Sequence, residues 1–248
     1  MKKTIIIAGC NGRIGHALLK NFLDKGHNVI AVDKIFSKTK SIKNKNLYKI
    51  KLDLSKEDNI KIFFKKIMKL KNNVTGFVYC LYPRSKNWGK KFELLSEKDI
   101  KNNIFFQLGL PILFLKNLYS FLKGSKNKIS IILISSIQGI KAPKFEHYKN
   151  LKINSPIEYS ACKAGIISIT SYLTKYYKNK NNIRINCISP GGIRDNQNKI
   201  FQERYRKSCV SKGLLDPQDL LGVINFLIDN SSEFIRGQNI IIDDGWSL

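Results

Sequence analysis

The chain is short of acid. Its 248 residues hold 18 Asp and Glu against 44 Lys and Arg, a formal charge of +26 at pH 7. An imbalance of that size raises nucleic-acid and anionic-membrane readings before any motif is inspected. Other absences weigh against both. No basic block stands apart as a tail, lysines run the whole length among Asn and Ile, and aromatics do not alternate with the cations as in a single-strand groove. Specific nucleic-acid binding is therefore not expected, and the charge reads as solvated faces. Cysteine is sparse too: Cys10, Cys80, Cys162, Cys187 and Cys209 contain no C-x-x-C pair, which argues against a zinc site and leaves no metal in expectation. No continuous apolar run approaches the ~18 residues of a membrane span. Thr4–Ala8 is too short for the apolar part of an export signal. A reduced, cytoplasmic setting with no membrane partner is the expectation. Internal repeats, low-complexity tracts and linkers are also missing, so residues 1–248 are expected to form one domain, and 43% hydrophobic content suffices for a substantial core.

What the chain does have is alternation. Thr4–Ala8 is wholly apolar and β-branched, the pattern of a parallel strand buried on both faces. Gly9-Cys-Asn-Gly12-Arg-Ile-Gly15 follows at once, and the spacing of Ile14, Leu18, Leu19, Phe22 and Leu23 predicts a helix ending near Gly26. Glycines in such a turn permit close backbone approach, leaving free N–H groups and a helix dipole to hold a pyrophosphate. Residues 29–33 give a second strand ending in Asp33, about twenty residues on, where a carboxylate binds adenosine ribose hydroxyls. Lys34 and Lys38 keep a 2′-phosphate open, so the expected cofactor is NAD with NADP as the alternative. Further strands are expected at 48–53, 76–80, 129–136, 183–189 and 239–243. Ser55 and Asp58 read as a helix cap, as do Ser96 and Asp99, whose long helix is kinked at Pro111 and closed by Gly124. Asp216 and Asp219 cap the last helix. The expected fold is α/β: a single Rossmann-type doubly wound domain, with a seven-stranded, mostly parallel sheet and helices on both faces.

The chemistry centres on Tyr159-Ser-Ala-Cys-Lys163. Ser155 as N-cap, Pro156 at the first helical position and Glu158 completing a capping box predict a helix that puts Tyr159 and Lys163 on one face. A phenol loses its proton near pH ~10, and an ammonium beside it favours the phenolate, which brings an acid/base toward neutrality. The fifth strand delivers Ser135 and Ser136 at its end, where a hydroxyl can polarise a carbonyl. Residues 191–215 are too long for a plain connection and predict a lid. In that reading Gly191 and Gly192 flex its base, and Ile200, Phe201 and Tyr205 pack it over a ligand. Its cations, Arg194, Lys199, Arg204, Arg206, Lys207 and Lys212, would face an anionic substrate, with Arg84 approaching from the loop after the fourth strand.

Together these residues resemble the short-chain dehydrogenase/reductase family over nearly the full length. The glycine turn, Asp33, Asp53, Ser136, Tyr159, Lys163, Pro190-Gly191 and the closing Ile-Asp-Asp-Gly-Trp246 fall in the family's order. The resemblance implies hydride transfer between nicotinamide and a carbonyl or alcohol carbon. In it Tyr159 is the acid/base, Lys163 holds the nicotinamide ribose and lowers the tyrosine's pKa, and Ser136 bonds the reacting oxygen. It implies cofactor contacts from Gly9, Asn11, Gly12, Arg13, Ile14 and Gly15, from Asp33, Asp53, Leu54 and Cys80, and from Tyr159, Lys163, Pro190, Gly191 and Ile193. It also implies a homodimer or homotetramer.

The chain departs from the family's pattern in three places. Two residues rather than three separate Gly9 from Gly12, with Arg13, where the family often keeps Gly, placed to reach a cofactor phosphate. Tyr79-Cys-Leu-Tyr82 replaces the family's Asn-Asn-Ala-Gly. Gln107 aligns with the helix asparagine that completes a catalytic tetrad, although Asn102 and Asn103 lie just upstream. Within the family, four features are similar to the branch found with flagellin modification and nonulosonic-acid sugar biosynthesis. They are Tyr82-Pro-Arg84, the extended interval from Ser136 to Tyr159, Asn154-Ser-Pro-Ile-Glu-Tyr159, and Pro190-Gly-Gly-Ile-Arg-Asp-Asn-Gln197. That likeness implies a sugar or sugar phosphate substrate, with Tyr82, Arg84 and Arg194 as its contacts. The rival is a 3-oxoacyl carrier-protein reductase, whose acidic partner suits a basic surface but whose usual NADPH Asp33 would repel. A third reading, of another class, is a non-catalytic dinucleotide-sensing protein, which would need no acid/base.

Overall fold

The fold grows outward from its first strand. In the computed structural model, which describes residues 2–70, 73–123, 127–151, 154–178 and 182–248, β1 (Thr4–Ala8) is wholly buried and paired on both sides. Side chains alternate along a strand, so Ile6 and Ala8 enter the core on one face while Ile5 and Ile7 enter the core on the other. The chain continues through α1 (Arg13–Asp24), β2 (Asn28–Asp33), β3 (Leu47–Lys51), α2 (Glu57–Lys69) and β4 (Val74–Tyr79). There follow α3 (Glu97–Ile104), α4 (Leu110–Leu122), β5 (Ile129–Ile134), α5 (Ile157–Tyr176), β6 (Ile183–Pro190), α6 (Lys199–Lys207), α7 (Leu221–Ile228) and β7 (Asn239–Ile242). The strands form one sheet in the order β3-β2-β1-β4-β5-β6-β7, parallel throughout where the sequence predicted mostly parallel. Phe63, Phe114 and Ile166 bring α2, α4 and α5 onto one face; Leu18, Phe22, Ile224 and Leu227 bring α1 and α7 onto the other. Each such side chain removed from water stabilises the fold by ~1.5–3 kcal/mol. The chain reverses its direction across the sheet between β1 and β4, and their carboxyl ends flank the crevice where doubly wound sheets bind ligands.

Local chemistry departs from the sequence expectation at several points. Lys56, not Ser55, is the N-cap of α2 and makes no side-chain bond. Asp53 makes that turn instead, accepting from the Ser55 amide at 3.0 Å and the Ser55 hydroxyl at 2.7 Å. Ser96 and Asp99 do form the predicted capping box on α3. Pro111 has no N–H to offer the Gln107 carbonyl and its ring would clash there, and the chain widens into a π turn at Phe105–Gly109 before α4 begins. The predicted stop at Gly124 lies outside the described residues. Pro156, not Ser155, is the N-cap of α5, because Ser155 and Glu158 are drawn into bonds with Gln138 and Asn103. Residues 34–46 contain no helix; Lys49 gathers this loop, its ammonium donating to the carbonyls of Thr39 at 2.6 Å and Ile42 at 3.1 Å. Residues 97–122 are together long and apolar enough to cross a membrane. Their Leu110, Phe114, Leu115, Leu118 and Leu122, however, are buried in this domain's core.

Candidate active site

A cleft of about 1130 Å³ opens along the carboxyl edge of the sheet. Its floor begins at the glycine turn. Gly9 has φ +88°, and a Cβ there would lie 2.8 Å from the Cys80 carbonyl carbon; a Cβ on Gly15 would lie 2.1 Å from the Gly9 oxygen. The turn is thus backbone packed on backbone. Gly12 is the N-cap of α1 and brings no side chain, so the first-turn N–H groups of Arg13, Ile14 and Gly15 stay available to an anion. Asp33 is aimed by two amides, accepting from Asn11 N at 2.9 Å and Lys34 N at 2.8 Å. The Asn11 side chain in turn bonds Ser37 and the Lys38 amide. Burial alone would raise the Asp53 pKa, but the Ser55 hydroxyl and amide bonds, helped by Lys34 and Lys56, outweigh it and hold the carboxylate below its usual range. Leu54, Cys80, Pro190, Gly191 and Ile193 complete this half of the lining. A tightly packed glycine turn with open first-turn N–H groups, facing an oriented carboxylate, fits a dinucleotide.

The other half carries the reactive groups. Ser135 Oγ donates to the Lys163 carbonyl at 2.7 Å, tying α5 to the end of β5. Lys163 Nζ donates to the Ile134 carbonyl at 2.9 Å, and its ammonium lies 5.5 Å from the Tyr159 ring centroid. Ser136 Oγ accepts from Gln138 N at 3.2 Å, and its hydroxyl lies close enough to the Tyr159 phenol to favour the phenolate. Ser136, Tyr159 and Lys163 therefore converge as predicted. Their proton affinities do not follow the prediction. Burial pushes the Tyr159 phenol up, the nearby Ser136 hydroxyl pulls it back only in part, and Tyr148 adds to the rise. Burial also pulls Lys163 down to about 8. Desolvation favours the neutral form of each group, and it is the largest influence on both. The arrangement is thus a neutral phenol, hence a proton donor, beside a hydroxyl and a readily deprotonated lysine.

Residues 9–247 match the family described as enoyl-(acyl carrier protein) reductase. The post-translational flagellin modification protein A of Campylobacter coli is 37% identical over 254 residues, covering 99% of this chain and 98% of the relative. The chain belongs to the short-chain dehydrogenase/reductase family. Membership makes it an oxidoreductase of the NAD(P)-dependent kind that acts on a CH–OH group. A 3-oxoacyl-[acyl-carrier-protein] reductase of Rickettsia felis is 27% identical over 98% of this chain and 96% of its own. A crystal structure of a short-chain dehydrogenase from Leptospira borgpetersenii with bound NAD+ superposes with a TM-score of 0.91 at 28% identity, covering 100% of this chain and 94% of that one.

Three predicted site residues are placed otherwise than a short-chain dehydrogenase pattern led one to expect. Gln107 sits buried in the π turn, outside the cleft lining, and donates to the Pro83 carbonyl. Asn103, one turn earlier, is fully buried and links Ser85 at 2.6 Å to Glu158 at 2.7 Å. Arg194 is also outside the lining: its guanidinium is 3.3 Å from the Asp216 carboxylate and bonds the Leu214 carbonyl. Arg13 lines the cleft, but its guanidinium is paired with Asp195 across the mouth. Of the substrate-side residues, Tyr82 and Arg84 do line the cleft, with the Arg84 guanidinium carbon 5.9 Å from the Tyr82 ring.

Residues 191–215 form a docked flap. Phe201 and Tyr205 of α6 pack with Ile137, Leu214 and Trp246, whereas Ile200, expected to pack, is exposed. None of the flap's six predicted cations lines the cleft. Lys212 pairs with Asp216 and Asp219, and Arg204 donates to the Lys149 carbonyl at 2.6 Å, so these charges turn outward. Sequence reasoning missed Gln138, Tyr148, Trp88 and Trp246, which all line the cleft. Trp88 and Tyr82 stand edge-on to Tyr159, with centroids 6.1 and 5.8 Å away. Only the long interval from Ser136 to Tyr159 signalled extra wall there.

Proposed function

We propose that this enzyme uses NAD to interconvert an alcohol and a carbonyl on a sugar or sugar phosphate, in surface-polysaccharide or flagellin glycan biosynthesis. The observation that carries the chemistry is the convergence of Ser136, Tyr159 and Lys163 in one cleft with the glycine cradle and Asp33. Bound NAD(H) supplies the hydride acceptor or donor. Tyr159 gives its phenolic proton to the carbonyl oxygen in reduction and takes it back in oxidation, a role worth roughly 10²-fold or more in rate. Ser136 Oγ already accepts from Gln138 N, so its own proton is free to bond the reacting oxygen. Lys163 binds the nicotinamide ribose hydroxyls. Asp33 takes the adenosine ribose and repels a 2′-phosphate, which supports NAD over NADP, in keeping with the NAD+ bound by the Leptospira dehydrogenase.

The sugar reading rests on the likeness to flagellin modification protein A and on Arg84, a fork-shaped donor at the cleft suited to an anionic substrate. Residues 191–215 act as the substrate lid, in a single domain of residues 1–248. The enzyme works in the cytoplasm as a homodimer or homotetramer, and the exposed Phe105, Ile112, Ile157, Tyr172 and Tyr176 of the π turn, α4 and α5 support self-association. The carrier-protein reductase reading keeps the support of the Rickettsia relative but predicts NADPH. The deciding experiment is a panel of sugar phosphates, nucleotide sugars and β-ketoacyl thioesters with NAD(H) and NADP(H), followed by absorbance. Turnover of thioesters alone, with NADPH, would replace the sugar reading with the reductase one.

A further inference from the structure

Lys163 is buried, and its ammonium has three N–H groups to place. One goes to the Ile134 carbonyl at 2.9 Å. Among the described residues no carboxylate pairs with it, and the ionisable groups that bear on its charge are the thiols of Cys162 on its own helix and Cys80 just past β4. Burial pushes both thiols up, Cys162 to about 11, so neither supplies an anion near neutrality. Two aromatic rings stand where a counter-ion would. Lys163 Nζ lies over the Tyr159 ring at 5.5 Å from its centroid and over the Tyr82 ring at 5.5 Å, and the two ring planes meet at 83° to make a corner around the ammonium.

Tyr82 closes the sequence that replaces the family's Asn-Asn-Ala-Gly, so a ring stands where that pattern has a glycine. Its loop is pinned on the far side. Gln107 donates to the Pro83 carbonyl, Ser85 Oγ donates to Asn103 at 2.6 Å, and Asn87 and Lys90 donate to the Asp99 carboxylate at 2.8 and 2.7 Å. Trp88 stands edge-on to Tyr82, with centroids 5.7 Å apart. The ring is therefore set in place before any ligand arrives.

We infer that Tyr82 is a positioning residue for the reaction, whose ring face holds Lys163 as an ammonium in the cleft and does the work of a missing counter-ion. This rests on the reading in which Lys163 binds the nicotinamide ribose as a cation. A ring quadrupole attracts an ammonium, and more strongly where water is excluded. Burial brings Lys163 down to about 8, and the ring acts in the opposite direction. Without it the ammonium, present at low pH, is lost at a lower point as pH rises, and its bonds to the ribose go with it. The Tyr82 ring also faces the Arg84 guanidinium, 5.9 Å from its centroid, a charge that stays fixed throughout the titration.

The test follows Lys163 directly, by NMR of protein labelled with 13C at the lysine Cε atoms, titrated from about pH 6 to about pH 11. The Lys163 signal is the one missing from Lys163→Arg. Its midpoint should fall by about 0.5–1 pH unit in Tyr82→Leu, the scale of a desolvated cation–π contact, and stay near wild type in Tyr82→Phe, which keeps the ring. Pentafluorophenylalanine in place of Tyr82 keeps the shape and reverses the quadrupole, and should lower the midpoint in the same way if Tyr82→Leu does not fold. NADH affinity, by fluorescence titration, should weaken at a correspondingly lower pH in Tyr82→Leu. A midpoint that is unchanged or raised once the ring or its quadrupole is gone, or that falls as far in Tyr82→Phe, overturns the inference. A midpoint that falls as expected while NADH affinity keeps its pH dependence overturns the ribose role of Lys163 and leaves the ring's hold on the ammonium standing.

Discussion

The two halves of the cleft are built from different materials. On the cofactor side the shape is set by backbone: Gly9 against the Cys80 peptide, Gly15 against the Gly9 oxygen, and Asp33 aimed by two amides. On the substrate side it is set by side chains: Gln138 bonded to Tyr148 and Ser155, the Phe201, Tyr205 and Trp246 cluster, and the Tyr82 and Trp88 edges. Backbone packed on backbone admits one residue type at a few positions. Side-chain walls can be made many ways. The first half therefore tolerates little change and serves one ligand, whereas the second can be remade for another substrate on the same fold.

Perturbations of the two halves should separate accordingly. The largest expected loss comes from Tyr159→Phe, which should cost roughly 10²-fold or more in kcat while leaving NAD(H) affinity, by fluorescence titration, near wild type. A variant that keeps most of its rate would refute the acid/base role. Next is pH. Burial raises the Tyr159 phenol above its ordinary value, so the proton donor persists across neutrality and the base form appears only as pH climbs toward that raised value. Alcohol oxidation should rise with pH through 8 to 10, by up to about tenfold per unit, while carbonyl reduction stays flat. A plateau in oxidation below pH 8 would contradict this.

Gly15→Ala strikes the backbone half. Its Cβ would fall 2.1 Å from the Gly9 oxygen, so the turn must open, at ~1–3 kcal/mol of stability in thermal melts and with weaker NAD(H) binding. An unchanged melting temperature would show the cradle to be softer than its contacts imply. Asp33→Ala should narrow the preference for NAD over NADP by about threefold to tenfold, the ~1 kcal/mol scale of an exposed charge contact. Equal discrimination before and after would assign the choice to Lys34 or Lys38. The smallest contrast lies between two arginines. Arg84→Ala should raise KM for an anionic substrate several-fold without touching NAD(H) affinity, whereas Arg194→Ala, turned toward Asp216, should leave KM alone. The reverse order would mean that the flap re-aims Arg194 on closing.

The same division governs what could be read from sequence. The seven strands, the glycine turn, Asp33, and the Tyr159 and Lys163 face were legible, because each is fixed by local spacing and by a residue type with few substitutes. The capping boxes at Ser96 and Asp216 were legible for the same reason. Ser155 failed as a cap because a partner 17 residues away, Gln138, claimed its hydroxyl. Glu158 failed likewise, bonded to Asn103 at a separation of 55 residues. Arg194 carried the right charge for a substrate contact, but a local pattern cannot see that Asp216 faces it across the folded flap. Lysine beside tyrosine promised a lowered phenol pKa, and burial, a property of the whole fold, reversed the sign.

The strand order also has a consequence for how the molecule is made. From β4 onward each new strand joins the edge left by the one before, so a chain emerging from the ribosome can extend its sheet in the order of synthesis. The pairing of β1 with β4 is the exception, the one parallel neighbour that must wait while α1, β2, β3 and α2 are completed. Once that pair closes, the Gly9 turn meets the Cys80 peptide and the backbone floor of the nucleotide cradle is set. Because Gly9 and Cys80 both line the cleft, a nucleotide bound there spans this junction and stabilises by mass action the one strand pair with the longest sequence separation.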